Sequence, residues 1–406
     1  MRKLRLVLLL FAAVVALSGC SKNHEIPTPQ PPRPDKAPQT LLFFLAGRGN
    51  LVSGFDRNIS NIKEAISHNI LGYSRVLVFR QTSSATSEIT ELSYLATAGR
   101  TQEEVVKRYD EPLVSVDGAT VTRVLKDMIA LAPAEHYGLV MGSHATGWVT
   151  STHTALEAPG GTAVEDYWKK TEGAYETRSF GYDNGRVMDI TTLAKSLTET
   201  NTKFEYLIFD ACFMSSIEAL YDLRTTTKHI LASPCEVMMY GIPYQYVLPQ
   251  LMRDHGTTYN LQGACESFNS FYSTTTETVK SGCIAQTNCD ELEALSEVMR
   301  RINATGQKPY DLASLQYYEG LSPHLFYDMD DFVRASCNDA TLLTEFKAQF
   351  DRTFPAACRL HTPSFYTVYG GTNIPIMSYS GVSISEPSSK YTTENRQTAW
   401  YIATHR

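Results

Sequence analysis

The 406-residue sequence lacks an excess of basic residues. Its 36 Lys and Arg are outnumbered by 43 Asp and Glu, giving a formal net charge of −7 at pH 7. With no basic stripe either, no nucleic-acid partner is expected. Zinc-ligand spacing is also missing: Cys283 and Cys289 are separated by five residues, with no His placed to complete a set. A Gly-x-Ser-x-Gly elbow is absent, which argues against an α/β serine hydrolase. Beyond the first twenty residues no apolar stretch is long enough to span a bilayer. No internal repeat is evident.

What is present begins with a targeting segment. Arg2, Lys3 and Arg5 precede the apolar run Leu6 to Leu17, and Leu-Ser-Gly-Cys closes it at Cys20. A charged start, a short apolar core and small residues at the end describe a signal peptide, and the last four residues fit a bacterial lipobox. Cys20 is therefore the expected lipidation site, with the protein held on the cell envelope by lipid, on either leaflet. Removal of residues 1–19 takes away three basic side chains, so the charge goes from −7 to −10. Residues 21–40 are proline-rich and read as an extended tether. Of the eight cysteines, seven remain after Cys20, and an odd count in an exported chain suggests one free thiol.

From residue 41 short apolar runs alternate with helical spacing. "LLFFLA", "RVLVFR", "YGLVMGS", "FEYLIFD" and "HILASP" read as strands, with a hairpin partner at "ITELSYLAT". Helices are expected around Asn58–His68, over Val121–Leu131, after a cap at Asp189, and over "SSIEALYDLR". Such alternation predicts an α/β fold with a mostly parallel sheet flanked by helices. After about residue 257 long helical patterns dominate, so 41–257 is the expected α/β domain and 258–406 a helix-rich C-terminal extension. A polar loop from Val149 to about Gly181 separates the strand at 137–143 from the next helix.

Two of the strands end in chemistry. "YGLVMGSH" ends at His144 and "YLIFDAC" at Cys212. A thiol needs a base or an electropositive setting to ionise near neutral pH, and a His at a neighbouring strand end supplies one. The same His can protonate a leaving amine. A helix expected from about Met214 adds a dipole that favours a thiolate. Gly142 and Gly147 permit tight turns on either side of His144, leaving backbone N–H groups for an oxyanion. Cys212 is thus either a packed core residue or a nucleophile presented to solvent.

The stretches "LVMGSHATGW", "LIFDACFMSSIEALYDLR" and "HILASPCE" resemble the clostripain family of cysteine peptidases, as does the opening "LLFFLAGRGNL". The resemblance covers roughly residues 40 to 256 and implies a caspase-like fold. It implies Cys212 as nucleophile and His144 as general base and acid. The backbone N–H groups of Ala145 and Cys212 would be the oxyanion donors, although the family has Gly where this chain has Ala145. Asp210 would form an acidic wall of the pocket for the residue before the cut bond, with Glu236 the nearby second acid. Both imply cleavage after Arg or Lys of a peptide or protein substrate. A cap on the following helix is the other role open to Asp210. Self-cleavage in the 149–181 loop is expected at Lys170 or Arg178. No cofactor is required; the resemblance alone raises stimulation by Ca²⁺, and no EF-hand-like loop is present. A non-catalytic envelope lipoprotein that binds peptide or a protein partner through the same cleft is the alternative reading.

Overall fold

The computed structural model describes residues 35–46, 51–81, 86–143, 145–151, 166–175, 187–253 and 258–406. Strand β1 (Ala37–Leu45) lies at the centre of a nine-stranded sheet. On one side it pairs in parallel with β2 (Arg75–Gln81), and β3 (Ser87–Leu95) and β4 (Arg100–Tyr109) follow antiparallel. On the other side come β5 (Ala134–Gly142), β6 (Phe204–Asp210) and β7 (Thr227–Ala232), all parallel. Two antiparallel strands, β8 (Cys283–Asn288) and β10 (Leu360–His361), complete that edge. A strand buried on both faces reads as a continuous apolar run. Strand β6, Phe-Glu-Tyr-Leu-Ile-Phe-Asp, follows this rule, with all seven residues buried.

Helices cover both faces. Helix α1 (Leu51–Ser67) packs with α5 (Tyr244–Leu251), and Asn58 of α1 donates to the carbonyl of Tyr240. Helix α2 (Gly118–Leu131) packs with α3 (Ile190–Thr198) through Thr122 Oγ1, which donates to the Ser196 carbonyl at 3.1 Å. Asp189 stands at the start of α3 as expected. Its carboxylate, however, accepts from Ser151 N–H at 2.7 Å rather than capping the helix. Helix α4 (Ile217–Leu223) follows the Cys212 turn.

The chain after 257 is built into the same body. Residues 35–406 form one compact unit, so the expected division near 257 does not separate two domains. Helices α6 (Leu261–Thr274) and α7 (Leu292–Ala304) flank β8, and β8 itself extends the main sheet. Further on lie the short strand β9 (Tyr327–Asp328) and helices α8 (Met329–Ser336) and α9 (Ala340–Thr353). The hairpin of β11 (Ser364–Thr367) and β12 (Thr372–Pro375) follows, then β13 (Ser383–Ile384), α10 (Thr392–Asn395) and α11 (Ala399–His405). The sequence reading missed β4, an edge strand with five charged residues among its ten. Charge on an edge strand blocks further pairing and erases the apolar alternation that would announce it. Among the described residues no helix is long and apolar enough to cross a membrane.

Candidate active site

The parallel register of β5 and β6 places Gly142 opposite Asp210. Residues 144 and 212 therefore each stand two positions beyond matched strand ends. Carboxyl ends of parallel strands are where ligands gather in such sheets. His144, Arg178 and Cys20 lie outside the described residues.

The turn after β6 is shaped by backbone strain. Phe213 has φ +60°, a left-handed conformation that costs about 1–2 kcal/mol for a residue with a side chain. The surroundings hold it there. Its ring is fully buried and stacks on Phe326 with centroids 5.0 Å apart at 15°. Its N–H donates to the Cys235 carbonyl at 3.2 Å, and Ser215 N–H donates to the Ser233 carbonyl at 2.9 Å. Ser215 Oγ reaches the Gly381 carbonyl at 2.6 Å, and Ser383 N–H donates back to the Ser215 carbonyl at 2.9 Å. The C-terminal part of the chain thus clamps the cysteine turn. Helix α4 runs from Ile217 to Leu223, starting later than the Met214 from which a dipole at the thiol is expected. Asp210 is not the cap of this helix; Ser216 occupies that position.

Cys212 is completely buried, which corrects the expectation of a thiol presented to solvent. Its Sγ accepts from Val237 N–H at 3.2 Å, and the Val237 carbonyl lies 3.8 Å away as acceptor for the thiol proton. Burial pushes the thiol well above its ordinary pKa, and the Glu236 carboxyl adds to this. Val237 N–H and the Lys170 ammonium act in the opposite direction.

Glu236 is 1% exposed, and Val368 N–H donates to its Oε1 at 2.8 Å. Burial is the main cause that raises its pKa to about 8. Asp210 is also buried, at the end of β6, and accepts from Tyr244 Oη at 3.1 Å. The two acids thus occupy different surroundings, one under Tyr244 of α5 and one beside the 366–370 run. When ionised, Glu236 adds to the rise of the Cys212 pKa.

Ala145 is half-buried, and the loop holding it turns at Gly147, φ +63°. A Cβ on Gly147 would come within 2.9 Å of the Phe213 carbonyl oxygen, so only glycine lets this loop approach the cysteine turn. Next to it, Trp148 Nε1 donates to Ser385 Oγ at 2.8 Å, and Ser385 N–H donates to the buried Glu218 carboxyl at 2.8 Å. Among the described residues no group of three or more His, Cys, Asp or Glu side chains could hold a metal ion.

Residues 166–175 form a strap bound to the 366–370 run, whose Val368 also holds Glu236. It opens with a single turn of 3₁₀ helix, Asp166–Trp168. Thr171 N–H donates to the Val368 carbonyl at 2.9 Å, and Gly370 N–H donates to Thr171 Oγ1 at 2.8 Å. Tyr175 N–H donates to Tyr366 Oη at 2.8 Å. Lys170 is exposed, yet its charge bears on both Cys212 and Glu236. Sequence reasoning missed Val237, Phe213, Phe326 and Trp168 as parts of this site. Only Phe213, next to the cysteine, carried a positional hint.

The model of the clostripain family, peptidase C11, matches residues 163–382. A solved structure of a secreted C11 cysteine protease from Bacteroides thetaiotaomicron, "iotapain", is 32% identical with TM-score 0.79, covering 92% of this chain and 100% of that one. An inactive zymogen C11 protease from Parabacteroides distasonis, 24% identical, shares the fold at TM-score 0.75, over 92% of this chain and 99% of that one. A clostripain from B. thetaiotaomicron in complex with the peptide inhibitor BTN-VLTK-AOMK is 38% identical over 56% of this chain and 98% of that one, with TM-score 0.51. No curated protein matches the chain.

Proposed function

The chain belongs to the clostripain family of cysteine peptidases, with its caspase-like fold, and from that premise we propose that it cuts peptide bonds after lysine or arginine with Cys212 and His144. The observation that carries the assignment is the β5–β6 register, which sets positions 144 and 212 at equal steps past adjacent strand ends. In the reaction the Cys212 proton passes to His144 and the sulfur attacks the substrate carbonyl carbon. The developing oxyanion is held by backbone N–H groups, those of Cys212 and Ala145. His144 then protonates the departing amine as the C–N bond breaks, leaving a thioester. Water, deprotonated by His144, releases the acid and restores the thiol.

Preference for a basic side chain rests on Glu236, with Asp210 as the second acid. A carboxyl kept mostly neutral at pH 7 by burial ionises when an ammonium or guanidinium pairs with it. The inhibitor bound to the 38% identical clostripain carries K next to its AOMK group, which agrees with lysine at this position. The buried, hard-to-ionise Cys212 fits a covered, inactive state, and cleavage after Lys170 or Arg178 uncovers it. The strap carrying Lys170 is bound through Thr171 to Val368, whose N–H holds Glu236.

Lipidation at Cys20 places the enzyme on the cell envelope, with the proline-rich segment as the tether; it ends before residue 37, earlier than the expected residue 40, because Ala37–Thr40 belong to β1. No cofactor enters this mechanism; stimulation by Ca²⁺ belongs to the family resemblance and no step here uses it. The test is hydrolysis of Lys- and Arg-amide peptides by wild type, Cys212→Ala and His144→Ala. Each variant should lose at least about a thousandfold in kcat/KM, on the scale of losing a member of a catalytic set. Activity retained in Cys212→Ala overturns the assignment.

A further inference from the structure

The strap is polar and exposed from Lys169 to Gly173, yet Trp168 within it is only 1% exposed. Its indole N–H donates to Tyr391 Oη at 2.9 Å. Its ring meets Tyr369 edge-on at 5.7 Å and 74°. Tyr391 itself sits in a left-handed conformation, φ +52° and ψ 34°, which is rare for a bulky residue and is tolerated where the surroundings require it. Tyr391 is 9% exposed and meets Tyr167 edge-on at 5.6 Å, with the Lys390 ammonium 4.3 Å from the Tyr167 ring. The result is an aromatic seat closed around one indole.

The position of the seat is as informative as its lining. Tyr369 directly follows Val368, whose N–H holds Glu236 and whose carbonyl accepts from Thr171 of the strap. The seat and the acid thus stand side by side on one turn. Trp168 fills the seat, and Thr171, three residues on, is bound to Val368, the residue that holds Glu236. Two residues of extended chain reach roughly 7 Å, the scale of the step from Trp168 to position 170. The main-chain bond to Val368 adds the backbone docking that peptide-binding edges supply.

We propose that the seat filled by Trp168 is a substrate subsite for an aromatic side chain two residues before the basic residue, the strap being its internal occupant. This rests on the reading of Lys170 as a residue that the site accepts. A substrate of the form aromatic-x-Lys would replace Trp168 and Lys170 together. An indole brings a large apolar surface and one N–H donor, and Tyr391 Oη accepts that proton.

The test uses the full-length Cys212→Ala/Trp168→Ala variant, which has no nucleophile and an emptied seat. The probes are fluorescein-labelled Trp-Ala-Lys-amide, Ala-Ala-Lys-amide and Trp-Ala-norleucine-amide, read by polarisation. The Trp-Ala-Lys probe should bind at least about tenfold tighter than Ala-Ala-Lys, and the advantage should vanish when Trp168 is retained. Equal affinity for these two probes overturns the subsite. Equal affinity for the lysine and norleucine probes overturns the basic pocket instead, and the Trp–Ala comparison still reads the seat. Trp168→Leu, which keeps apolar bulk in case the alanine variant does not fold, is measured beside it; absence of a Trp preference in both refutes the proposal.

Discussion

Glu236→Gln offers a sharp physical test, because it alters one buried carboxyl and nothing of comparable size. In the folded protein burial raises this group from 4.5 to about 8. The folded state therefore binds one more proton than the unfolded chain between those values. Stability from this group is fully present below about pH 4.5 and is lost as pH rises through about 8. The shift of roughly 3.5 pH units corresponds to about 5 kcal/mol, or about 1.4 kcal/mol per pH unit within the window. Glutamine keeps an acceptor for Val368 N–H but cannot ionise. Glu218, raised by burial to about 7, and Asp222, raised to about 6, contribute slopes of the same sign and remain in the variant. The difference between the two proteins thus isolates Glu236. The assay is urea unfolding at half-unit steps from pH 5 to 8.5, in a Cys212→Ala background that prevents self-cleavage. The protein that keeps Glu236 should lose stability with rising pH more steeply than the Glu236→Gln variant, by about 1 kcal/mol or more per pH unit between pH 5.5 and 7.5. Parallel curves would refute the claim that this carboxyl is buried and neutral near pH 7.

Three more outcomes follow from the same geometry. Phe326→Ala removes the ring stacked on Phe213 and should cost about 3–5 kcal/mol in urea unfolding; a cost below about 1 kcal/mol would mean the stack holds nothing. Gly147→Ala forces a side chain at φ +63° and 2.9 Å from the Phe213 carbonyl, so kcat/KM should fall at least about tenfold while the protein stays folded by circular dichroism. An unchanged rate would show that the loop is not held against the cysteine turn. Lys170→Ala with Arg178→Ala should leave a single full-length band under conditions in which wild type is cut, and continued cutting of the double variant would place processing elsewhere.

Strand β6 and the junction at Cys212 were legible in the sequence because a strand buried on both faces is written as an unbroken apolar run. The parallel sheet and the clostripain resemblance followed from such runs and from the residues that end them. Strand β4 was not legible, since an edge strand of charged residues carries no alternation. The exposure expected for Cys212 failed for a different reason. Its sulfur lies against the backbone of Val237, twenty-five residues further along the chain. Val237 N–H has no side-chain signature at all. The boundary near 257 reflected a real change of rhythm, but β8 pairs with β7 and Phe326 stacks on Phe213, so the later chain completes the site rather than standing apart.

The most direct test of the central claim is covalent labelling of the processed enzyme with a lysine acyloxymethyl ketone, followed by peptide mass spectrometry. The account predicts a single adduct on Cys212, formed in step with loss of activity and absent in His144→Ala. An adduct on any other cysteine, with Cys212 unmodified and activity lost, would contradict it.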